Sequence, residues 1–281
     1  MTAEGAAASH APRFGLLHYW ICFKGIVWRE SLRFLHQRER FVSALVRPLV
    51  WLFIFAAGFR TVLGVSIIPP YETYVLYEVY ITPGLLAMIA LFNGMQSSLS
   101  MVYDREMGNM RTLLISPFPR WFLLVSKLAA GTAVSAAQIY AFLLIAYFWE
   151  IEPPSAWGYL TVLPALVLTG FMLGALGMLL SSLIKQLENF AGVMNFVIFP
   201  MFFASSALYP LWRVREGSPW LAFVCELNPF THAVELIRFA LYERMNFQAL
   251  AVVLGAAIIF LGAAIAAYDP SRGMLMRREG P

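Results

Sequence analysis

Six apolar runs, each of about twenty residues or more, constrain this chain more than any other feature, because a helix needs roughly 20 apolar residues to cross about 30 Å of hydrocarbon. They cover 42–63, 79–102, 121–149, 157–184, 190–212 and 247–268, separated by short charged or Pro/Gly-bearing breaks. The third and fourth are long enough to tilt or to project past the membrane surface. Composition agrees: 60% of the 281 residues are hydrophobic and 13% are charged, where soluble domains carry roughly 25% charged residues. The expected fold is all-α, a polytopic membrane protein with six transmembrane helices. No break could hold a soluble domain of about 100 residues. The reading is one domain over 1–281, with a tail and interfacial helix at 1–41, the spanning core at 42–268 and a second tail at 269–281. The first apolar run begins too late for a cleavable secretory signal, so the N-terminus is expected to be retained.

Basic residues resist translocation and collect on the cytoplasmic side. With the N-terminus inside, the inner segments hold 15 of the 20 Lys and Arg residues and the outer segments 5. Both termini are therefore expected in the cytoplasm. The same bias accounts for the net charge of +4 without nucleic acid as a partner. Cys22 and Cys225 fall on opposite sides in this topology and suggest neither a disulfide nor a metal site.

Two segments are amphipathic rather than spanning. Between Trp20 and Arg40, the residues Trp20, Phe23, Val27 and Phe34 recur near helical spacing beside Trp28, while Arg29, Arg33 and Arg40 line the other side. Such a helix lies flat in the interface, either as an anchor for the first span or as a lever on a cytoplasmic partner. The second segment, from Asp104 to Arg120, sets Arg105, Glu106 and Arg111 beside Met107, Met110, Leu113 and Leu114 and ends at Pro117. It reads as a short helix suited to docking in a groove of another protein. A basic loop that merely satisfies topology is the alternative.

Within the spans, Asn93, Gln96, Gln138 and Asn195 either line a pathway or hydrogen-bond across helices. Phe199 and Phe203 join Asn93, Gln96 and Asn195 as candidate pathway lining. Arg47 and Arg60 fall near the ends of the first run, where long side chains snorkel. No charged binding site is expected along the pathway, nor the buried carboxylates of an ion-coupled carrier. The serines at 97, 98, 100, 181 and 182 lack a nearby His or Asp to activate them and suit helix packing. His232 reads as a structural polar residue, having no ligand-spaced neighbour. The sequence contains no Gly-x-x-x-x-Gly-Lys-Ser/Thr phosphate loop, so nucleotide chemistry would come from another polypeptide.

Arg105-Glu106-Met107-Gly108, with Leu113-Leu114 and Pro117, resembles the coupling-helix pattern of the type-2 ABC exporter permeases, a family that includes polysaccharide, lipid-linked glycan, nodulation-factor and drug exporters. Pro200, Phe203, Ser205, Ser206, Tyr209 and Pro210, then Asn228-Pro229-Phe230-Thr231 and Arg238, are similar to the family's fifth helix and the re-entrant element after it. Asn109 and Ala207 depart from the commoner Thr and Gly. The resemblance implies a dimer, with a second copy or a related permease, in the bacterial inner membrane. It also implies two copies of a separate ATPase subunit carrying ATP and Mg, contacted through Arg105, Glu106, Met107, Gly108, Met110, Arg111 and Leu113. The substrate path would run at the subunit interface along the second and fifth spans. The stretch from Leu211 to Arg244 then reads as two short re-entrant helices broken at Asn228-Pro229, with four arginines balancing four glutamates. Two other classes remain open: a membrane enzyme acting on lipid or glycan, for which only Asp104 and Glu106 converge, and a passive channel.

Overall fold

A computed structural model describes residues 15–36, 38–59, 69–72, 75–106, 118–151, 153–184 and 187–267. The described residues form ten helices and no strand: α1 (Leu16–His36), α2 (Arg38–Phe59), α3 (Tyr77–Glu106), α4 (Arg120–Tyr147), α5 (Gly158–Leu183), α6 (Leu187–Phe203), α7 (Leu211–Gly217), α8 (Pro219–Leu227), α9 (Pro229–Leu241) and α10 (Phe247–Ala267). Four segments are long and apolar enough to cross a membrane: Tyr77–Tyr103 in α3, all of α4, all of α5 and all of α10. These match the second, third, fourth and sixth apolar runs.

The first and fifth runs behave differently. In α2 the apolar part is the shorter Ala44–Ile54, interrupted by Arg47 and Pro48. The fifth run does not continue as one helix to 212, because α6 stops at Phe203 after 17 residues. Ser205 ends it: its hydroxyl donates to the Phe202 carbonyl at 2.6 Å and accepts the Ala207 N–H at 3.2 Å, a local competitor to helical bonding.

The core is built around α3, buried without interruption from Tyr80 to Leu91, and its most extensive packing is on α5. Their backbones nearly touch. A Cβ on Gly94 would lie 2.9 Å from the backbone of Leu173 and Gly174, and one on Gly177 would lie 2.7 Å from the Gly94 carbonyl oxygen. Small residues at such crossings substitute van der Waals contact for the hydrophobic effect that a bilayer cannot supply. Ser98, Ser181 and Ser182 donate to carbonyls of their own helices at 2.9, 2.8 and 2.6 Å, which fits packing roles. By contrast, α10 leaves Leu254, Ile258 and Ile259 exposed, a surface matched to hydrocarbon.

At the N-terminal end, α1 lays Tyr19 edge-on against Phe118 and Phe122, at centroid distances of 5.2 and 5.0 Å. Trp20 and Trp28 stay exposed, and Arg29 pairs with Glu30 at 3.0 Å. The 211–244 stretch contains three helices, not the two expected. Asn228-Pro229 breaks it as read, but Ser218-Pro219 breaks it too. Each pair is an N-cap followed by proline at the first helical position, and Ser218 and Asn228 accept the N–H groups of Leu221 at 3.4 Å and Phe230 at 2.9 Å.

Candidate functional site

Two polar constellations organise the bundle. The first sits where α3 begins and where α6 and α9 meet it. Arg238 of α9 is 3% exposed. One guanidinium nitrogen bonds the Glu235 carboxylate, another donates to the Ser206 carbonyl at 2.9 Å, and the group lies 4.2 Å from the Tyr80 ring centroid. Burial opposes its charge, but Glu235 and the Tyr80 and Tyr71 hydroxyls outweigh it, so the pKa rises and the guanidinium stays ionised. Tyr80 and Tyr77 donate to the Ser206 and Leu208 carbonyls at 3.2 and 2.7 Å. The turn after α6 is thereby tied to α3, at a point where a Cβ on Gly84 would collide with the Ala207 carbonyl oxygen at 2.5 Å.

Asn228 joins the two loops. Its side-chain nitrogen donates to the carbonyls of Met201 and Ala204, each at 2.7 Å, while its oxygen caps α9. Thr231 donates to the Cys225 carbonyl at 2.6 Å, and Phe230 is fully buried against Phe202. The His232 ring bonds the Glu226 carbonyl at 2.9 Å. Ion pairs Arg215–Glu226 and Arg244–Glu72 complete the lattice. Asn228, Phe230, Thr231 and Arg238 thus fasten α9 to its neighbours, with Pro229 at the first position of α9 and with Tyr80 and Glu235 as members that the sequence did not single out. The spacing of three between Glu235 and Arg238 was the available signal.

The second constellation lies between α2 and α3. A cavity of about 70 Å³ is lined by Arg47, Pro48, Met88, Phe92, Asn93 and Gln96, among others. The Arg47 guanidinium carbon lies 3.8 Å from the Phe92 ring centroid. Asn93 bonds Gln138 of α4, so for this residue cross-helix bonding and cavity lining coexist. Arg47, expected to snorkel from near a span end, thus meets α3 at Phe92, near the middle of the 27-residue span Tyr77–Tyr103. The helix crossing, which hydropathy cannot show, decides which residue of α3 it meets.

The remaining pathway candidates are elsewhere. Asn195, Phe199 and Phe203 share one exposed face of α6, with Phe199 and Phe203 stacked at 6.2 Å, while Ile198 and Phe202 face inward. Trp51, one turn beyond Arg47 on α2, touches Phe202 and Phe203 at 5.8 Å each. The cleft and the aromatic face are thus neighbours along α2. Of the docking segment, α3 carries the backbone of Arg105 and Glu106 as its last turn. Residues 107–117, with Met107, Gly108, Met110, Arg111 and Leu113, lie outside the described residues, as do Arg60 and the side chains of Arg33, Arg40, Arg105 and Glu106.

A family model for the ABC-2 type transporter matches residues 22–242, from within α1 to just past α9. The chain belongs to the ABC-2 transporter permease family. Members are membrane-embedded transport components that pair with a separate ABC ATPase subunit. Among similar proteins, ycf38 of Cyanophora paradoxa, named as a transport permease, is 28% identical over 210 residues, covering 73% of this chain and 69% of that one. YbhR of Escherichia coli K12, named as a multidrug ABC transporter permease, is 30% identical over 165 residues, 58% of this chain and 43% of that one. Nodulation protein J of Neorhizobium galegae is 24% identical over 253 residues, 84% of this chain and 86% of its own.

Proposed function

We propose that this ABC-2 permease is the membrane subunit of an ATP-driven exporter in the bacterial inner membrane, moving an amphipathic, lipid-linked, glycan-type or drug substrate. The family match across 22–242 carries the reading. The chain itself carries no catalytic residues in this scheme; two copies of the ATPase hold ATP and Mg. The single domain over 1–281 dimerises with itself or a related permease, crosses the membrane six times and keeps both termini in the cytoplasm. For the count of six, α2 and α6 supply the spans beyond the four long ones, and their shorter apolar cores fit helices whose ends are completed by polar neighbours.

In this orientation α7, α8 and α9 form the external re-entrant element, and the last turn of α3 delivers Arg105 and Glu106 to the cytoplasmic side. ATP-driven closure of the ATPase pair pushes the segment at about 104–116, with Met107, Met110 and Leu113 as its apolar insert, and α1 moves with it as a rigid body. The buried network around Arg238 supports this by making the far end of α3, α6 and α9 one unit, so that displacement at one end is transmitted rather than absorbed. The exposed face bearing Asn195, Phe199 and Phe203 suits a path formed against a second subunit, because an apolar face with one amide accommodates amphiphiles.

Reconstitution with the cognate ATPase in vesicles tests the proposal. ATP-dependent accumulation of a fluorescent lipid-like amphiphile, abolished by vanadate, is expected; flux of equal rate without ATP would indicate a channel instead.

A further inference from the structure

The cleft between α2 and α3 has the composition of an anion site. We propose that Arg47, Asn93 and Gln96 form a subsite that binds the anionic head, a phosphate, sulfate or carboxylate, of an amphiphilic molecule. Placing that molecule in a transport path rests on the exporter reading; the binding itself does not.

Four observations converge. The Arg47 guanidinium is positioned over Phe92 near mid-span, where an ionised side chain is costly and normally marks a pathway or a ligand. The ring contact is through the guanidinium carbon at 3.8 Å, and no hydrogen bond from Arg47 occurs among the described residues, so its N–H donors can engage an oxyanion in a fork. Among the described residues no Asp or Glu lines the cavity, and no ion pair to Arg47 occurs. The other polar groups are amides: Asn93, Gln96 and, behind Asn93, Gln138, which is 0% exposed with its side-chain nitrogen lacking a hydrogen-bond partner. A cationic fork beside amide donors, with no carboxylate, complements negative charge.

Size and access also fit. About 70 Å³ exceeds the roughly 10–15 Å³ that admits one water, leaving room for a single oxyanion head. Arg47 is itself exposed, so the cleft is accessible from outside the helix pair, and Trp51, one turn along α2, touches the aromatic residues of α6. A head group in the cleft can therefore keep its apolar tail along Phe199 and Phe203.

The full-length permease with its ATPase subunit, in nanodiscs of neutral phosphatidylcholine, provides the test. Equilibrium binding is measured for radiolabelled dodecyl phosphate, for dodecyltrimethylammonium and for inorganic phosphate. Saturable binding of dodecyl phosphate is expected, at least ten-fold tighter than that of the cationic amphiphile. Arg47→Gln should weaken it ten-fold or more and Gln96→Leu several-fold, while Arg47→Lys should retain part of it. Competition by inorganic phosphate would show that the site reads a soluble anion as well; its failure to compete would restrict the site to membrane-borne heads. Unchanged affinity in Gln96→Leu and Arg47→Lys together, or equal affinity for the two amphiphiles, overturns the proposal. Should Arg47→Gln not fold, the other two variants still decide it. Association with the ATPase, scored on the same wild-type sample, reports separately on the exporter reading.

Discussion

Arg238 and Tyr80, 158 positions apart in the sequence, donate to the same carbonyl, that of Ser206, at 2.9 and 3.2 Å, with the guanidinium 4.2 Å from the tyrosine ring centroid. Helices α3 and α9 thereby share one acceptor in the turn that ends α6. Replacing Arg238 by Met leaves Glu235 without its partner and strips the Ser206 carbonyl of a charged donor, which is expected to cost on the order of 3 kcal/mol. Tyr80→Phe removes one hydroxyl bond and should cost about 1 kcal/mol. Unfolding in detergent would show the order; equal midpoints for the two variants would mean the arginine is not the centre of the fastening.

The contact between α3 and α5 makes a steric prediction. Gly94→Val places a branched side chain against the backbone of Leu173 and Gly174, and overpacking of this kind costs about 1–3 kcal/mol or more. Gly255→Ala in α10 meets nothing within 4 Å and should be neutral or slightly stabilising, since alanine favours a helix by up to about 1 kcal/mol over glycine. Comparable losses of melting temperature in both variants would argue against the close crossing.

Asn228 separates capping from cross-linking. Asn228→Asp keeps the oxygen that caps α9 but loses the donors to Met201 and Ala204; Asn228→Ala loses both. The aspartate sets a carboxylate oxygen against those two carbonyls and should be no more stable than alanine although it keeps the cap, with the alanine variant below wild type by about 2 kcal/mol or more, from a cap worth about 1 kcal/mol and two deprived carbonyls. Thermal unfolding of the three proteins gives the ranking, and an aspartate as stable as wild type would show that the donors contribute nothing.

Much of this was legible in the sequence because its signals were local. Spanning helices α3, α4, α5 and α10 follow from apolar run length alone, and the Asn228-Pro229 break follows from proline geometry and capping chemistry. The end of α6 was not legible from run length: residues 204–210 carry no charge to mark a break, and the Ser205 hydroxyl, bonding locally, competes with the helix there. Ser218-Pro219 carried the same signal as Asn228-Pro229, yet it sits in a shorter, more polar stretch where helix periodicity is hard to see. The position of Arg47 could not be read at all, since hydropathy ranks it by distance along α2, whereas its depth depends on which residue of α3 it crosses. Asn93 and Asn195 were grouped by residue type, and the helix faces divide them between the cleft and the exposed side of α6.

The docking role proposed for Glu106 gives a sharp functional outcome. Glu106→Arg reverses the charge that the last turn of α3 would offer the ATPase, and membrane insertion is expected to remain intact. ATP-dependent transport should fall at least ten-fold. Normal transport by the variant would remove the segment from the coupling path.

In the function proposed above, this ABC-2 permease works only with a separate ATPase. The most direct test is affinity purification of the tagged chain from its native membrane in mild detergent, with identification of bound subunits and an ATPase assay on the product. A nucleotide-binding subunit is expected to accompany the wild-type chain and hydrolyse ATP, and Glu106→Arg is expected to lose either the subunit or the stimulated hydrolysis. A permease that purifies alone and without ATPase activity, under conditions that preserve a known ABC complex prepared in parallel, would contradict that reading.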